Sequence, residues 1–311
     1  MQSRIILCCG EALIDFLPRE TRSGDLAFQP FSGGSIFNTA VALGRLGVPS
    51  GFLGGMSEDF FGDQLRDSLK ASLVDYSYSP VSGRYTMAAF VKLEEGQARY
   101  TFIEEGSACR MLSKVQLPVL GETVGTLHFG SISILFEPCA ETLEYLCRRE
   151  HAGKVISFDP NIRAGLIKDR TAHLARIGRF AAMADIVKMS DEDLAWMAPG
   201  ADPEAFATDW LAKGAKVVIV TRGSEGAIAF INGGKTEAPA ATGKVADTVG
   251  AGDTFTAGVL TYLHRNDLLT KASIAALSLE HLKGAIDLAA RAAAITVSRP
   301  GADPPWSHEL A

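Results

Sequence analysis

The residues best placed to do chemistry lie in Asp247-Thr-Val-Gly-Ala-Gly-Asp253-Thr-Phe, where three small residues precede an acid and a helical run from Phe255 to His264. Gly250, Ala251 and Gly252 at a helix start let backbone N–H groups converge with little side-chain obstruction, and the helix dipole adds partial positive charge there. Such a turn is an anion hole. Asp253, in the first turn, sets a carboxylate beside it, suited to taking a proton from a hydroxyl that attacks a bound phosphoryl group. The same spacing also suits an acid that caps a helix after a Gly-rich turn.

A second cluster is Gly33-Gly34-Ser35-Ile36-Phe37-Asn38, which runs into a helical pattern from Ile36 to Leu46. Two glycines allow close backbone approach, and Asn38, one turn into the helix, offers both donor and acceptor to a polyol. The alternative is a tight strand-to-helix turn with a capping Ser35 and an inward-facing Asn38. Asp15, on an apolar strand after Gly10-Glu11, is in the same position: it stands at a functional edge or merely faces solvent.

Other patterns lead nowhere. Gly233-Gly234-Lys235-Thr236 contains Gly-Lys-Thr, but a P-loop needs glycine where Ala229 stands, and a helix after it. It reads as a turn. No Gly-x-Gly-x-x-Gly follows the first strand, so the dinucleotide fingerprint is missing. The six histidines lack metal-ligand spacing. The five cysteines (Cys8, Cys9, Cys109, Cys139, Cys147) form no Cys-x-x-Cys pair and read as buried, reduced thiols.

From about residue 120, short β-rich runs alternate with longer helical patterns, the signature of a parallel sheet with helices on both faces. Thr126 to Phe129, Lys154 to Phe158, Ile186 to Met189 and Val217 to Thr221 read as strands; Glu141 to Arg149, Thr171 to Met183 and Pro203 to Lys213 read as helices. In the N-terminal third, Ile5 to Cys9, Ala12 to Leu17, Leu26 to Pro30, Thr86 to Leu93 and Arg99 to Ile103 look like strands, the last two flanking a hairpin turn at Glu94-Glu95-Gly96-Gln97. Ile36 to Leu46 and Phe60 to Ala71 are helical among them. This arrangement suggests a small β-structure projecting from the main sheet, a natural lid or dimer surface.

A chain of 311 residues with 47% hydrophobic content is long enough for one large core, so one domain over 1–311 is expected. The net charge of −6 argues against a polyanion-binding surface and for small metabolites rather than nucleic acid or anionic lipid. Wholly apolar runs reach only about five residues, against the roughly 20 that cross a bilayer, and the opening segment has no small-residue cleavage pattern. A soluble, cytoplasmic protein is expected.

Taken together, the pieces resemble the ribokinase and fructokinase (PfkB-type) family of sugar kinases over nearly the whole chain. Gly10-Glu11-Ala-Leu-Ile-Asp15 looks like the family's first strand, Gly33-Gly34 through Gly47 and on to Gly62 like its N-terminal signature, and Asp247 to Asp253 like its C-terminal one. The resemblance implies a ribokinase-like α/β three-layer sandwich with a mostly parallel central sheet. It also implies a β-sheet lid, within about 11–32 and 84–105, that closes over the sugar and often forms a homodimer contact. By the same resemblance Asp253 is the catalytic base and the amides of Gly250, Ala251 and Gly252 are the anion hole. Asp15, Gly33, Gly34, Asn38, Phe102 and Asn161 fall to the sugar. Asp159-Pro160-Asn161-Ile162-Arg163 resembles the segment where donor and acceptor meet, with Arg163 offering a forked cation or standing as a surface arginine. Thr221, Gly223 and Gly226 resemble the turn bordering ATP, with Lys188 and Ser190 near the phosphates.

This chain departs from the pattern at three places. Ser190-Asp191-Glu192-Asp193 replaces the Asn-x-x-Glu that organises Mg2+ in many relatives, which leaves Glu192 or Asp193 for that role. Asp247 and Val249, with the tail Ile295 to Ala302, resemble a K+ site of some members, but Pro305 stands where ribokinase-like members have a serine oxygen. Ala290 replaces an Asn often found near adenine. Within the family the pattern is most like bacterial fructokinases, with 2-keto-3-deoxygluconate kinase (using Arg163 or Arg99 for the carboxylate) and ribokinase next. A non-catalytic sugar or nucleotide sensor on the same fold is the alternative from another class.

Overall fold

The computed structural model describes residues 4–94, 97–240 and 243–310, the side chains of 93–100 excepted. The predicted turn residues Glu95 and Gly96 and the Arg99 side chain therefore lie outside the described residues.

The N-terminal part runs β1 (Ile5–Cys9), β2 (Leu13–Glu20), β3 (Leu26–Gly33), α1 (Ser35–Arg45), β4 (Ser50–Leu53), β5 (Met56–Ser57), α2 (Phe60–Ala71), β6 (Val74–Asp75), β7 (Val81–Ser82), β8 (Met87–Glu94) and β9 (Gln97–Ile103). It continues through β10 (Val124–Gly130), α3 (Cys139–Glu150), β11 (Val155–Asp159), α4 (Arg170–Met183), β12 (Ile186–Ser190), α5 (Asp191–Met197), α6 (Pro203–Ala212) and β13 (Val217–Thr221). The chain ends with β14 (Ala227–Ile231), β15 (Gly234–Ala238), α7 (Ala251–Arg265), α8 (Lys271–Ala275) and α9 (Leu279–Val297).

Nine of these strands form one sheet in the order β15-β14-β13-β12-β11-β10-β1-β4-β6, parallel from β6 to β13 and antiparallel beyond. Its strands are apolar on both sides because helices cover both sides. In β1, Ile6 and Cys8 face one apolar cluster and Leu7 and Cys9 the other; in β13, Val217 and Ile219 oppose Val218 and Val220. The first cluster is completed by α1, α7 and α9, the second by α3, α4 and α6. This is the expected three-layer sandwich. The Gly-Lys-Thr segment proves to be the β14–β15 hairpin.

A separate four-stranded sheet, ordered β3-β2-β8-β9, is built from the segments expected to form the lid. Two of its strands are longer than expected: β2 reaches Glu20 and β3 reaches Gly33, paired from Leu13 with Gly33 to Glu20 with Leu26. Pro18 and Pro30, which read as strand ends, are tolerated because Pro30 lies on the edge strand and Pro18 lies beyond the stretch of β2 that β8 covers.

Helix α7 must lie close to α9 to hold its N-terminus in place, and Gly258 permits it: a Cβ there would meet the Ala289 Cα at 2.5 Å. Gly258→Ala gains about 1 kcal/mol of helix propensity. Because the obstructing atom is backbone, the net expectation is a loss of roughly 1–3 kcal/mol. A denaturant titration checks this, and a midpoint at or above wild type would refute it.

Candidate active site

Helix α7 begins at Gly250, whose left-handed φ of 75° turns the chain into the helix. A side chain there would strike Ala302, at 2.7 Å from its Cβ. The first turn then presents Asp253, which is buried. It does not cap its helix. Its Oδ1 accepts from the Ser35 hydroxyl at 2.6 Å and its Oδ2 from the Asn38 amide at 2.9 Å, both on α1. Burial pushes the Asp253 carboxyl up, opposed by these two hydrogen bonds and by the charges of Lys188 and Arg163.

Helix α1 is capped by Gly34 without a side-chain bond, so the alternative of a capping Ser35 does not hold: its hydroxyl reaches across to α7. Gly34 has φ 104°, and a Cβ there would crowd the Glu11 carbonyl at 3.0 Å. Gly33 is packed harder still, its missing Cβ falling 2.1 Å from the Asp15 Oδ2. The glycine pair thus brings the start of α1 against the Asp15 carboxylate. Burial pushes Asp15 up to about 6, with Arg163 opposing and Asp253 adding to the rise. Across the lid, Asp15 pairs with Ala89 and Ala89 with Phe102, which sets Phe102 on the face that carries Asp15. Phe102 is half-buried against Leu13, Met87 and Ile132.

The anion hole is narrower than three free amides. The Ala251 amide turns back to the Thr248 carbonyl at 3.3 Å, while Gly252 is a first-turn residue whose amide has no acceptor within its helix. A Cβ on Gly252 would come within 3.0 Å of the Lys188 Nζ, so the ammonium lies directly over this turn. Lys188 comes from β12 and donates to the Asp159 Oδ2 at 2.9 Å, both side chains buried. Burial pushes Asp159 up to about 6, against the pull of Lys188. Burial also opposes the Lys188 charge, but Asp159, Asp193 and Asp253 outweigh it and hold the lysine above its usual value. At neutral pH both partners are ionised.

From Asp159 the chain turns through Asn161, at φ 37°, with the Asn161 N–H on the Asp159 Oδ1 at 3.1 Å. The Asn161 amide donates to the Ser35 Oγ at 2.7 Å and accepts from the exposed Arg163 at 2.6 Å. Asp193 anchors this loop: its Oδ1 accepts from the Ile162 N–H at 2.7 Å and its Oδ2 from that of Ser190 at 2.9 Å. Both Asp193 oxygens thus accept a backbone amide, and each keeps a second lone pair. Ser190 and Thr221 pair across the carboxyl ends of β12 and β13, followed by the turn with Gly223 at φ 50° and Gly226 at φ 88°. Asp247 accepts from the Val249 and Gly301 amides at 3.0 and 2.9 Å, drawing the tail against the 247–249 segment.

The expected residues therefore fall into two groups. Asp253, Asn38, Asn161, Arg163, Asp15 and Lys188 are joined by bonds or electrostatic contact, whereas Ser190, Thr221, Gly223 and Gly226 line a neighbouring stretch of the sheet edge. Among the described residues, no cluster of three His, Cys, Asp or Glu side chains could hold a metal. Ser35, Asp159 and Glu11 fall within motifs that the sequence marks, but sequence reasoning gave none of them a role at the site. A lysine within an apolar strand demands a carboxylate partner, a signal that calls for an acid without saying that it is Asp159. Glu11, buried and pushed up to about 7, accepts from the Ile36 amide at 3.3 Å and so holds the start of α1.

A buried acid beside a helix N-terminus and a buried lysine, at the carboxyl ends of parallel strands under a β-lid, defines a phosphotransferase on a ribokinase-like fold. The chain belongs to the pfkB family of carbohydrate kinases, whose model matches residues 4–309. It is 52% identical to a fructokinase of Rhizobium leguminosarum bv. trifolii over 91% of this chain and 87% of that one. Among solved structures it resembles a Xylella fastidiosa fructokinase with bound ATP (TM-score 0.90, 28% identical, 99% of this chain and 97% of that one). It also resembles a Vibrio cholerae O395 fructokinase in a form bound to fructose, ADP and calcium ion (TM-score 0.83, 26% identical, 97% and 95% covered).

Removing the Lys188 charge should leave Asp159 and Asp253 buried without their cation. Lys188→Met is expected to cost about 3 kcal/mol of stability, part of it regained in Lys188→Met/Asp159→Asn. Denaturation curves of the two variants decide; a single variant as stable as wild type would count against the ion pair.

Proposed function

We propose that this protein transfers the γ-phosphate of Mg-ATP to a primary hydroxyl of D-fructose, giving fructose 6-phosphate. The observation that carries the reading is the Asp253 carboxylate, held by two donors between the helix α7 amino end and the Asp15 face of the lid. The 52% identical relative from Rhizobium leguminosarum bv. trifolii is a fructokinase, which supports the reading. As the sugar hydroxyl attacks, its proton passes to Asp253, its oxygen bonds to the γ-phosphorus, and the bond to the bridging oxygen breaks to release ADP. Gly252 and Lys188, with the Gly250 and Ala251 turn, meet the charge on the phosphoryl oxygens. Arg163 is available to the same oxygens.

Magnesium enters with the ATP phosphates as part of that substrate, keeping most of its water. The Asp247–Val249 segment, drawn against the tail, is where a K+ would bind if the enzyme uses one. Asp15, Gly33, Gly34, Asn38, Phe102 and Asn161 receive the sugar, and Thr221, Gly223, Gly226 and Ser190 border the nucleotide. The exposed Leu26 and Phe28 of the lid offer a second copy of the chain a dimer surface. No helix among the described residues is long and apolar enough to cross a membrane, and the five cysteines are free and buried, as suits a protein of the cytoplasm.

ADP release over a panel of fructose, ribose, 2-keto-3-deoxygluconate and adenosine tests the assignment: fructose should give the highest kcat/KM, and no turnover with any of them would favour a sensor. Asp253→Asn should keep sugar and ATP binding and lose at least ~100-fold in kcat; near-normal turnover would remove Asp253 from the chemistry.

Asp15 accepts sugar hydroxyls best when ionised. Its pKa near 6 means that the KM for fructose should be flat above that pH and rise as pH falls through it. Asp15→Asn should raise KM about tenfold and abolish that rise. A KM indifferent to pH between 5 and 7 would detach Asp15 from the sugar.

A further inference from the structure

Three hydrogen bonds run in series from the exposed Arg163 to the buried base. Arg163 donates to the Asn161 Oδ1 at 2.6 Å, Asn161 donates to the Ser35 Oγ at 2.7 Å, and Ser35 donates to the Asp253 Oδ1 at 2.6 Å. The direction is forced. An amide nitrogen can only donate, so Ser35 accepts from Asn161 and its single proton has one place to go. The last bond is charge-assisted.

We propose that Ser35 is a positioning residue for the reaction, fixing the Asp253 carboxylate in its reactive orientation and tying it to the Asn161–Arg163 loop. The structural needs of α1 do not explain this hydroxyl. The helix is capped by Gly34 without a side-chain bond, and the back-bond that a helical hydroxyl ordinarily makes is made by Thr39, to the Ser35 carbonyl at 3.0 Å. An alanine at position 35 would build the helix as well. It would leave the Asn161 amide without its acceptor and Asp253 held on one oxygen only, by Asn38.

The charged groups around Asp253 come from four elements. Lys188 of β12 and Arg163 after β11 favour its ionised form. Asp15 of β2 and Asp159 of β11 are coupled to it by like charge. Against that background Ser35 removes part of the penalty of burying the carboxylate, so its loss moves the Asp253 titration further in the direction burial already drives it, to higher pH.

The turnover arm of the test rests on the kinase reading above; the titration arm does not. Ser35→Ala should lower kcat at pH 7 about tenfold, with the acid limb of the kcat profile displaced to higher pH and the KM for fructose little changed. Ser35→Thr, which keeps the hydroxyl, should regain most of the rate. Thr39→Val removes a buried hydroxyl of the same helix that does not touch Asp253 and should leave the limb where it was. Independently, the Asp253 carboxyl carbon, assigned by carbon-13 NMR through its loss in Asp253→Asn, should titrate at higher pH in Ser35→Ala with no sugar or nucleotide present. Should thermal melting show that Ser35→Ala does not fold, Ser35→Cys, whose thiol is a weak donor, carries the same comparison. A titration and an acid limb both at their wild-type positions would overturn the proposal. A wild-type chain inert toward every sugar would instead overturn the kinase reading, leaving the titration to judge Ser35.

Discussion

A carboxylate taken out of water at the crossing of two helices is costly unless every one of its oxygens finds a donor and its charge finds a counter-charge. Asp253 is in that position, and much of the surrounding architecture answers to it. Helix α1 must lie across the amino end of α7 so that Ser35 and Asn38 reach the two oxygens. The Lys188 ammonium must stand over Gly252, and because that ammonium is itself buried it requires Asp159. Asp159 in turn fixes Asn161 in a left-handed turn, which returns a donor to Ser35. The network closes on itself.

The sheet supplies the frame. Successive parallel strands end along one edge, so Asp159, Ser190 and Thr221, the last residues of β11, β12 and β13, stand in a row although the chain separates them widely. The period of two along each strand decides which side each residue serves: Ile186 and Lys188 face α7, while Val187 and Met189 enter the opposite core. The lid works by the same rule, since register alone sets Phe102 beside Asp15 through Ala89. The glycines serve this frame by their absence of side chains, at Gly33 against Asp15 and at Gly258 against α9.

Much of this was legible beforehand, and what was legible was local. The strands from Ile5 to Cys9 and from Val217 to Thr221, and the helix from Phe60 to Ala71, have the bounds that apolar patterning suggests. Strands β2 and β3 outran their apolar stretches because partner strands, not their own side chains, hold Arg19 and Glu20 in the ladder. Ser35 reads as a cap because serine before an apolar helical run ordinarily is one. Asp193 is reached, with Glu192, only through the resemblance of Ser190-Asp191-Glu192-Asp193 to a family segment, and nothing local announces that its two oxygens accept the Ile162 and Ser190 amides.

The amino-acid sequence by itself determined the alternation of strands and helices, the glycine turn before an acid, and a lysine within an apolar strand, since each follows from propensity and period over a few neighbouring residues. Only the tertiary structure decided that Asp253 would be held by residues 215 and 218 positions away, that Asp159 would be the lysine's partner, and that an arginine would be linked through an asparagine and a serine to the base. Hydrogen bonds act within about 3 Å. Which side chains come that close across the chain is settled by how strands order themselves and helices cross, and no local pattern records it.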